Sequence, residues 1–86
     1  MAERLKFDLV SPEKLVLSAE VDMVEVPGAE GDFGVLPNHS PVMAMLRPGT
    51  LTVESDGKRQ SFELDGGFVD VTPEGVTVLA ETISKA

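Results

Sequence analysis

Apolar and polar side chains alternate along most of this chain. Leu5, Phe7 and Leu9 are separated by polar residues, whereas an α-helix would repeat apolar residues every three or four positions. The alternation therefore predicts half-buried β-strands. The same period of two returns in three later segments, which are residues 50–54, 61–65 and 76–79.

Turn-forming residues interrupt these runs at short intervals and leave almost no room for helices. Thr72-Pro73-Glu74-Gly75 predicts a hairpin in which proline fixes φ and Gly75 takes a positive φ, and Ser55-Asp56-Gly57 predicts a second hairpin. About nine short strands imply an all-β fold of two packed sheets, and no linker or repeat divides residues 1–86 into further domains. The predicted strands are Leu5–Val10, Leu15–Ala19, Val21–Val26, Gly34–Leu36, Val42–Met45, Thr50–Glu54, Arg59–Leu64, Gly67–Val71 and Val76–Leu79.

Four of these strands carry neighbouring apolar residues, so one member of each group should point away from the core. A bulge or a slipped register explains any single case. Four cases in a chain this short favour at least one exposed apolar patch, which a partner usually covers. The groups are Leu15-Val16-Leu17, Met23-Val24, Phe68-Val69 and Val78-Leu79.

Composition limits the partners. The formal charge of −8 arises from 15 acidic and 7 basic residues, so the surface would repel nucleic acid and anionic lipid. It suits a basic protein partner, although it also simply favours solubility. Without cysteine the chain has no disulfide or thiolate metal site. No apolar run approaches the roughly 18 residues of a membrane span, so we expect no direct membrane insertion.

Candidate catalytic chemistry is sparse. His39 is the only histidine, and a metal site needs three or four converging ligands, so we expect a structural or interface role for it. Glu30 and Asp32 lack the Trp or Tyr platform of a sugar-cleaving site. We therefore predict no catalytic, cofactor or metal site. Two alternatives stay open, namely a small cupin-type enzyme that uses His39 and carboxylates around a metal, and a free-standing adhesion module.

The segment 28–41 has a distinctive pattern. Three glycines in residues 28–34 allow tight turns that would push Glu30 and Asp32 outward as a charged projection. The glycine spacing is not that of a phosphate-binding loop, and two carboxylates would repel a phosphate. The following residues 36–41 contain two prolines, which lower the entropy lost when a partner binds.

The same segment carries a family resemblance. It reads Gly28-x-Glu30-Gly31-x-x-Gly34-x-x-Pro37-x-His39-x-Pro41, and three further motifs follow in order. With this spacing, the chain resembles the N-terminal domain of the epsilon subunit of bacterial F-type ATP synthase over nearly its whole length. The further motifs are Pro48-Gly49, Gly66-Gly67 and Val76-Thr77-Val78-Leu79-Ala80.

The resemblance implies a flattened β-sandwich of ten strands at the foot of the central stalk. In this family the domain is noncatalytic, holds no cofactor and joins the gamma subunit to the c-ring at the cytoplasmic face of the inner membrane. It rotates with the stalk, so that proton-driven rotation of the ring reaches the catalytic head that makes ATP.

The resemblance also implies two sets of contact residues. Arginine in the c-ring loops would give the acidic loop a basic partner, and methionine adapts well to the irregular surface of gamma. Val42 and Ala44 are alternatively ordinary core residues. The implied c-ring contacts are Gly28, Glu30, Gly31, Asp32, Gly34 and His39. The implied gamma contacts are Ser11, His39, Val42, Met43 and Met45.

Complete epsilon subunits continue into a C-terminal helical hairpin. That hairpin carries the inhibitory motion of the family and, in some members, an ATP site. Because this sequence ends at Ala86, we expect these residues to carry neither.

Overall fold

The structure is a computed structural model that describes residues 4–85. Within this range the chain forms ten strands and no helix. The strands are β1 (Leu5–Ser11), β2 (Lys14–Val21), β3 (Met23–Val26), β4 (Phe33–Val35), β5 (Val42–Leu46), β6 (Gly49–Ser55), β7 (Lys58–Leu64), β8 (Gly67–Thr72), β9 (Gly75–Leu79) and β10 (Ile83–Lys85).

The strands form two sheets of five. The first sheet has the order β2-β1-β9-β8-β5, and the second has the order β10-β7-β6-β3-β4. Neighbouring strands are antiparallel except for the parallel pair of β1 and β9. The prediction of an all-β sandwich of about ten short strands is confirmed.

The core lies between the inner faces of the two sheets. Phe7 and Leu9 of the first sheet and Leu51 of the second are fully buried, and burying each such side chain contributes about 1.5 to 3 kcal/mol. No polar or charged side chain is buried among the described residues. The alternation in the sequence therefore corresponds to one apolar inner face on each sheet.

The predicted strand Val21–Val26 is wrong in one respect, because the chain changes sheets at Asp22. Val21 ends β2 in the first sheet, whereas Met23 begins β3 in the second. The Asp22 amide donates to the Glu54 carbonyl at 2.8 Å. Val21 and Met23 flank Asp22 in the same alternation that a single strand would show, so periodicity alone does not locate the crossing.

Both predicted hairpins form, but Gly75 is needed for a different reason from the positive φ that was expected. Asp56 and Gly57 have φ values of 55° and 77° in the β6–β7 turn, which suit a tight hairpin. Gly75 closes the β8–β9 turn without a positive φ, so that expectation is wrong. A Cβ at Gly75 would lie 2.4 Å from the Lys6 carbonyl oxygen. The close parallel pairing of β1 with β9 is what requires glycine there.

The tenth strand is absent from the predicted set. Ile83–Lys85 pairs with β7, with Ile83 opposite Leu64. Only Ile83 packs against the core, and a three-residue strand with one apolar residue has no recognisable alternation.

A candidate docking surface beside the β5 edge

The acidic tip, residues 28–34, begins with a tight turn. The Gly31 amide donates to the Gly28 carbonyl at 3.1 Å, and Gly31 has a φ of 140° that few other residues adopt. A Cβ on Gly28 would lie 2.4 Å from the Gly31 carbonyl oxygen. Gly34 lies instead in β4 with open space around its Cα. The expected glycine turn therefore depends on two of the three glycines.

Backbone hydrogen bonds fasten the base of the acidic tip to the end of β5. The Ala29 amide donates to the Met45 carbonyl, and the Arg47 amide donates to the Pro27 carbonyl, both at 2.9 Å. Gly28 forms an isolated bridge with Leu46. The tip is thus fixed to the edge of the first sheet.

The two carboxylates of the tip have different surroundings. The Arg47 guanidinium donates from Nη2 to both oxygens of Asp32 at 2.6 and 2.7 Å, and from Nε at 3.2 Å. Glu30 is exposed, and within residues 4–85 its carboxylate has no hydrogen bond or ion pair. The two carboxylates therefore do not present equivalent charges to a partner.

His39 is half-buried in the segment that follows the tip. Its Nδ1 lies 2.7 Å from the Ser40 carbonyl oxygen, and its ring centroid lies 6.5 Å from that of Phe33. Its amide donates to the Leu36 carbonyl at 3.2 Å. Across residues 4–85 no group of three or more His, Cys, Asp or Glu side chains could hold a metal.

β5 is an edge strand whose two faces differ. Met43 and Met45 point outward and are 65% and 63% exposed. Val42 pairs with the buried Val71, so its side chain lies in the inner-face register, although at the sheet edge it remains 37% exposed. Ala44 is likewise packed against the core.

A line of apolar side chains crosses the outer face of the first sheet. Strand register places one apolar residue of each strand in this line, and four strand spacings of about 4.8 Å give it a length of roughly 19 Å. We call it the outer apolar row. It consists of Met45, Phe68, Leu79, Val10 and Leu15.

The outer apolar row confirms the prediction of an exposed apolar patch, since Leu79 and Leu15 are 46% and 56% exposed. Near Leu15 the register shifts at a bulge, which places Leu15 opposite Val10. Two acidic residues, Asp8 and Asp70, lie in the neighbouring line on the same outer face. The face therefore combines an apolar stripe with negative charge.

The acidic tip and β5 share one cleft of about 530 Å³. Residues predicted to meet two different partners thus lie side by side. Ser11, by contrast, lies at the end of β1 just beyond the outer apolar row, where its hydroxyl donates to the Lys14 carbonyl at 3.3 Å. The cleft is lined by Gly28, Ala29, Glu30, Gly31, Phe33, Val42, Met43, Ala44 and Met45.

Comparison with known proteins assigns the fold to a family. The model of the β-sandwich domain of the ATP synthase delta/epsilon chain matches residues 4–86. The chain belongs to this family. Relatives named ATP synthase epsilon chain include one from Parvibaculum lavamentivorans, 58% identical over 82 residues, and one from Caulobacter vibrioides, 56% identical over 83 residues. The predicted family resemblance is confirmed.

The relatives differ in how much of their length is matched. The match covers 94% of this chain and 62% of the Parvibaculum protein, but 96% of both this chain and the Caulobacter protein. The chain thus spans about three-fifths of several of the curated relatives that it matches.

Solved structures share the sandwich. A chain of the Euglena gracilis mitochondrial ATP synthase assembly of OSCP, F1 and c-ring superposes with a TM-score of 0.91 at 26% identity, covering 95% of this chain and 53% of that one. A chain of the Tetrahymena thermophila mitochondrial ATP synthase central stalk and c-ring has a TM-score of 0.78 at 15% identity, covering 94% of this chain and 66% of that one. This second similarity shows the fold alone.

Between residues 4 and 85, no helix has the length and apolar character needed to cross a membrane.

Proposed function

We propose that this chain is a noncatalytic central-stalk subunit of an F-type ATP synthase. It couples rotation of the c-ring to the gamma subunit and the catalytic head during proton-driven ATP synthesis. Family membership, the epsilon-chain relatives and the similarity to a chain of an F1 and c-ring assembly support this role. The observation that carries it is the juxtaposition of an acidic tip and exposed methionines along one cleft.

Gamma binds the side of the domain that carries Met43 and Met45. These side chains are exposed, and Met45 begins the outer apolar row, so a partner on this side removes apolar surface from water. The nearby Asp8 and Asp70 favour a gamma surface in which basic residues border an apolar stripe. Ser11 and Val42 lie at the margins of this contact, one beyond the row and one at the sheet edge.

The acidic tip meets the c-ring. Its turn is fixed by Gly28 and Gly31 and by hydrogen bonds to β5, so docking orders little additional backbone. A negatively charged projection complements basic groups on the ring loops. Gly34 supports the tip from within β4. His39 supports it through its imidazole, which lies beside the aromatic side chain of Phe33. The domain therefore operates peripherally at the cytoplasmic face of the inner membrane.

Binding to isolated gamma tests the first half of this proposal. The wild-type chain should co-elute with gamma, and the double variant Met43→Lys/Met45→Lys should not, because two charges would enter an apolar contact. Thr50→Lys, on the other sheet, is the matched control and should still co-elute. Failure of the wild-type chain to bind gamma would contradict the proposal.

Binding to a complex of gamma and the c-ring tests the second half. Adding the ring should tighten attachment of the wild-type chain, and that gain should shrink as salt rises because the ring contact is ionic. A gain independent of salt, or no gain, would remove the acidic tip from the ring contact.

A further inference from the structure

We propose that Arg47 is a positioning residue that holds the acidic tip through Asp32, and that Glu30 is the tip carboxylate that a basic partner engages. This inference rests on the proposed function, in which the tip docks onto the c-ring. It gives the two carboxylates different roles: Asp32 keeps the tip in position, and Glu30 binds the partner.

The geometry of the Asp32–Arg47 pair is that of a strong contact. Nη2 of Arg47 lies within 2.7 Å of both carboxylate oxygens, and Nε adds a third contact. Planar, forked contacts of this kind fix the orientation of both groups better than a single ion pair. Both oxygens of Asp32 are therefore already occupied by a cation of the same chain.

Arg47 is itself held in place. Its amide donates to the Pro27 carbonyl at 2.9 Å, just before the tip, and its Nη1 donates to the Pro48 carbonyl at 3.2 Å. Through Asp32 the same residue reaches the far side of the tip. Arg47 thus connects both sides of a glycine-rich turn that would otherwise lose more entropy on docking.

Glu30, unlike Asp32, has no cation of the described residues 4–85 beside its carboxylate. It lies in the turn between Gly28 and Gly31, is exposed, and has no ion pair or hydrogen bond within residues 4–85. A basic group on a partner could approach Glu30 without displacing an existing contact. At Asp32 the Arg47 guanidinium already offsets the charge of the carboxylate, so a basic group of the partner would gain less there than at Glu30.

A charge swap separates the two roles. Asp32→Arg and Arg47→Asp should each weaken attachment to the gamma and c-ring complex by roughly three- to tenfold, because two like charges then face each other. The double swap Asp32→Arg/Arg47→Asp should recover to within about twofold of wild type, since the pair re-forms in reverse. Arg47→Lys should keep only part of the wild-type strength of attachment, because lysine lacks the planar fork.

Glu30→Gln should weaken attachment by a similar factor and reduce its dependence on salt. Asp56→Asn is the matched control and should not change attachment. Asp56 follows the end of β6 at Ser55, whereas Arg47 and the acidic tip lie near the start of β6 at Gly49. If the double swap is as weak as Asp32→Arg while Glu30→Gln binds normally, the Asp32 carboxylate itself meets the partner and the inference is overturned.

Hydrogen exchange on the free chain tests Arg47 without any partner. In Arg47→Gln, the amides of Ala29 and Gly31 should exchange several-fold faster than in wild type, and the double swap should restore slow exchange. Unchanged exchange in Arg47→Gln would overturn the positioning role. If the wild-type chain shows no ring contact at all, while Arg47→Gln still accelerates exchange, the proposed function fails and the positioning role stands.

Discussion

The outer faces of the two sheets differ, although their inner faces are alike. The first sheet presents the outer apolar row. The second presents hydroxyls and charges that pair with one another, as in the hydrogen bond from Thr50 to Glu63 at 2.5 Å and that from Arg59 to Glu25 at 2.7 Å. A face that satisfies its own polar groups is stable in water, whereas exposed apolar rows mark sites of association. This difference supports the proposal that partners dock on the first sheet.

The inner faces should respond equally to truncation. Leu9→Ala in the first sheet and Leu51→Ala in the second each remove a fully buried side chain and should lower the free energy of unfolding by about 2 to 5 kcal/mol. Urea denaturation measures both. A much smaller loss in one sheet would mean that the two sheets differ in packing as well as in their outer faces.

The outer faces should respond very differently to a charge. Leu79→Lys places an ammonium in the outer apolar row and should weaken gamma binding by at least tenfold, as expected for a central apolar contact. Thr50→Lys on the second sheet should leave the dissociation constant within about twofold of wild type. Isothermal titration with gamma compares them, and equal losses would contradict a one-sided docking surface.

The smallest effect should come from the ion pairs of the second sheet. Arg59 pairs with Glu25 at 2.7 Å and with Glu54 at 3.6 Å, all three half-exposed. Arg59→Gln should lower the free energy of unfolding by about 1 kcal/mol or less and leave gamma binding unchanged. A clear loss of gamma binding without loss of stability would place part of the interface on the second sheet.

Alternation made most of the fold predictable, because each inner face needs an apolar residue at every second position. The tight β6–β7 turn was equally readable from Asp56-Gly57. The crossing at Asp22 and the strand Ile83–Lys85 were not, since the alternation continues through the first and the second has only one apolar residue. The alternation of apolar and polar residues does not show where a chain passes from one sheet to the other.

The site was predictable in its parts but not in its assembly. The glycine turn follows from local sequence, whereas Met43 and Met45 were named only through the family resemblance, and the contacts that it implies for the two partners remain predictions. The pairing of Asp32 with Arg47, 15 residues apart, depends on how the tip returns to the end of β5. Only the three-dimensional register shows that Met45, Phe68 and Leu79 form one line.

Solvent access at the two outer faces in the complex with gamma tests the central claim most directly. The chain has no cysteine, so Leu79→Cys and Thr50→Cys each introduce a single thiol whose labelling rate can be measured with cysteine-free gamma. Binding of gamma should slow labelling of the Leu79→Cys variant at least tenfold and leave that of the Thr50→Cys variant unchanged. Unprotected labelling of the Leu79→Cys variant in a saturated complex would contradict docking through the first sheet.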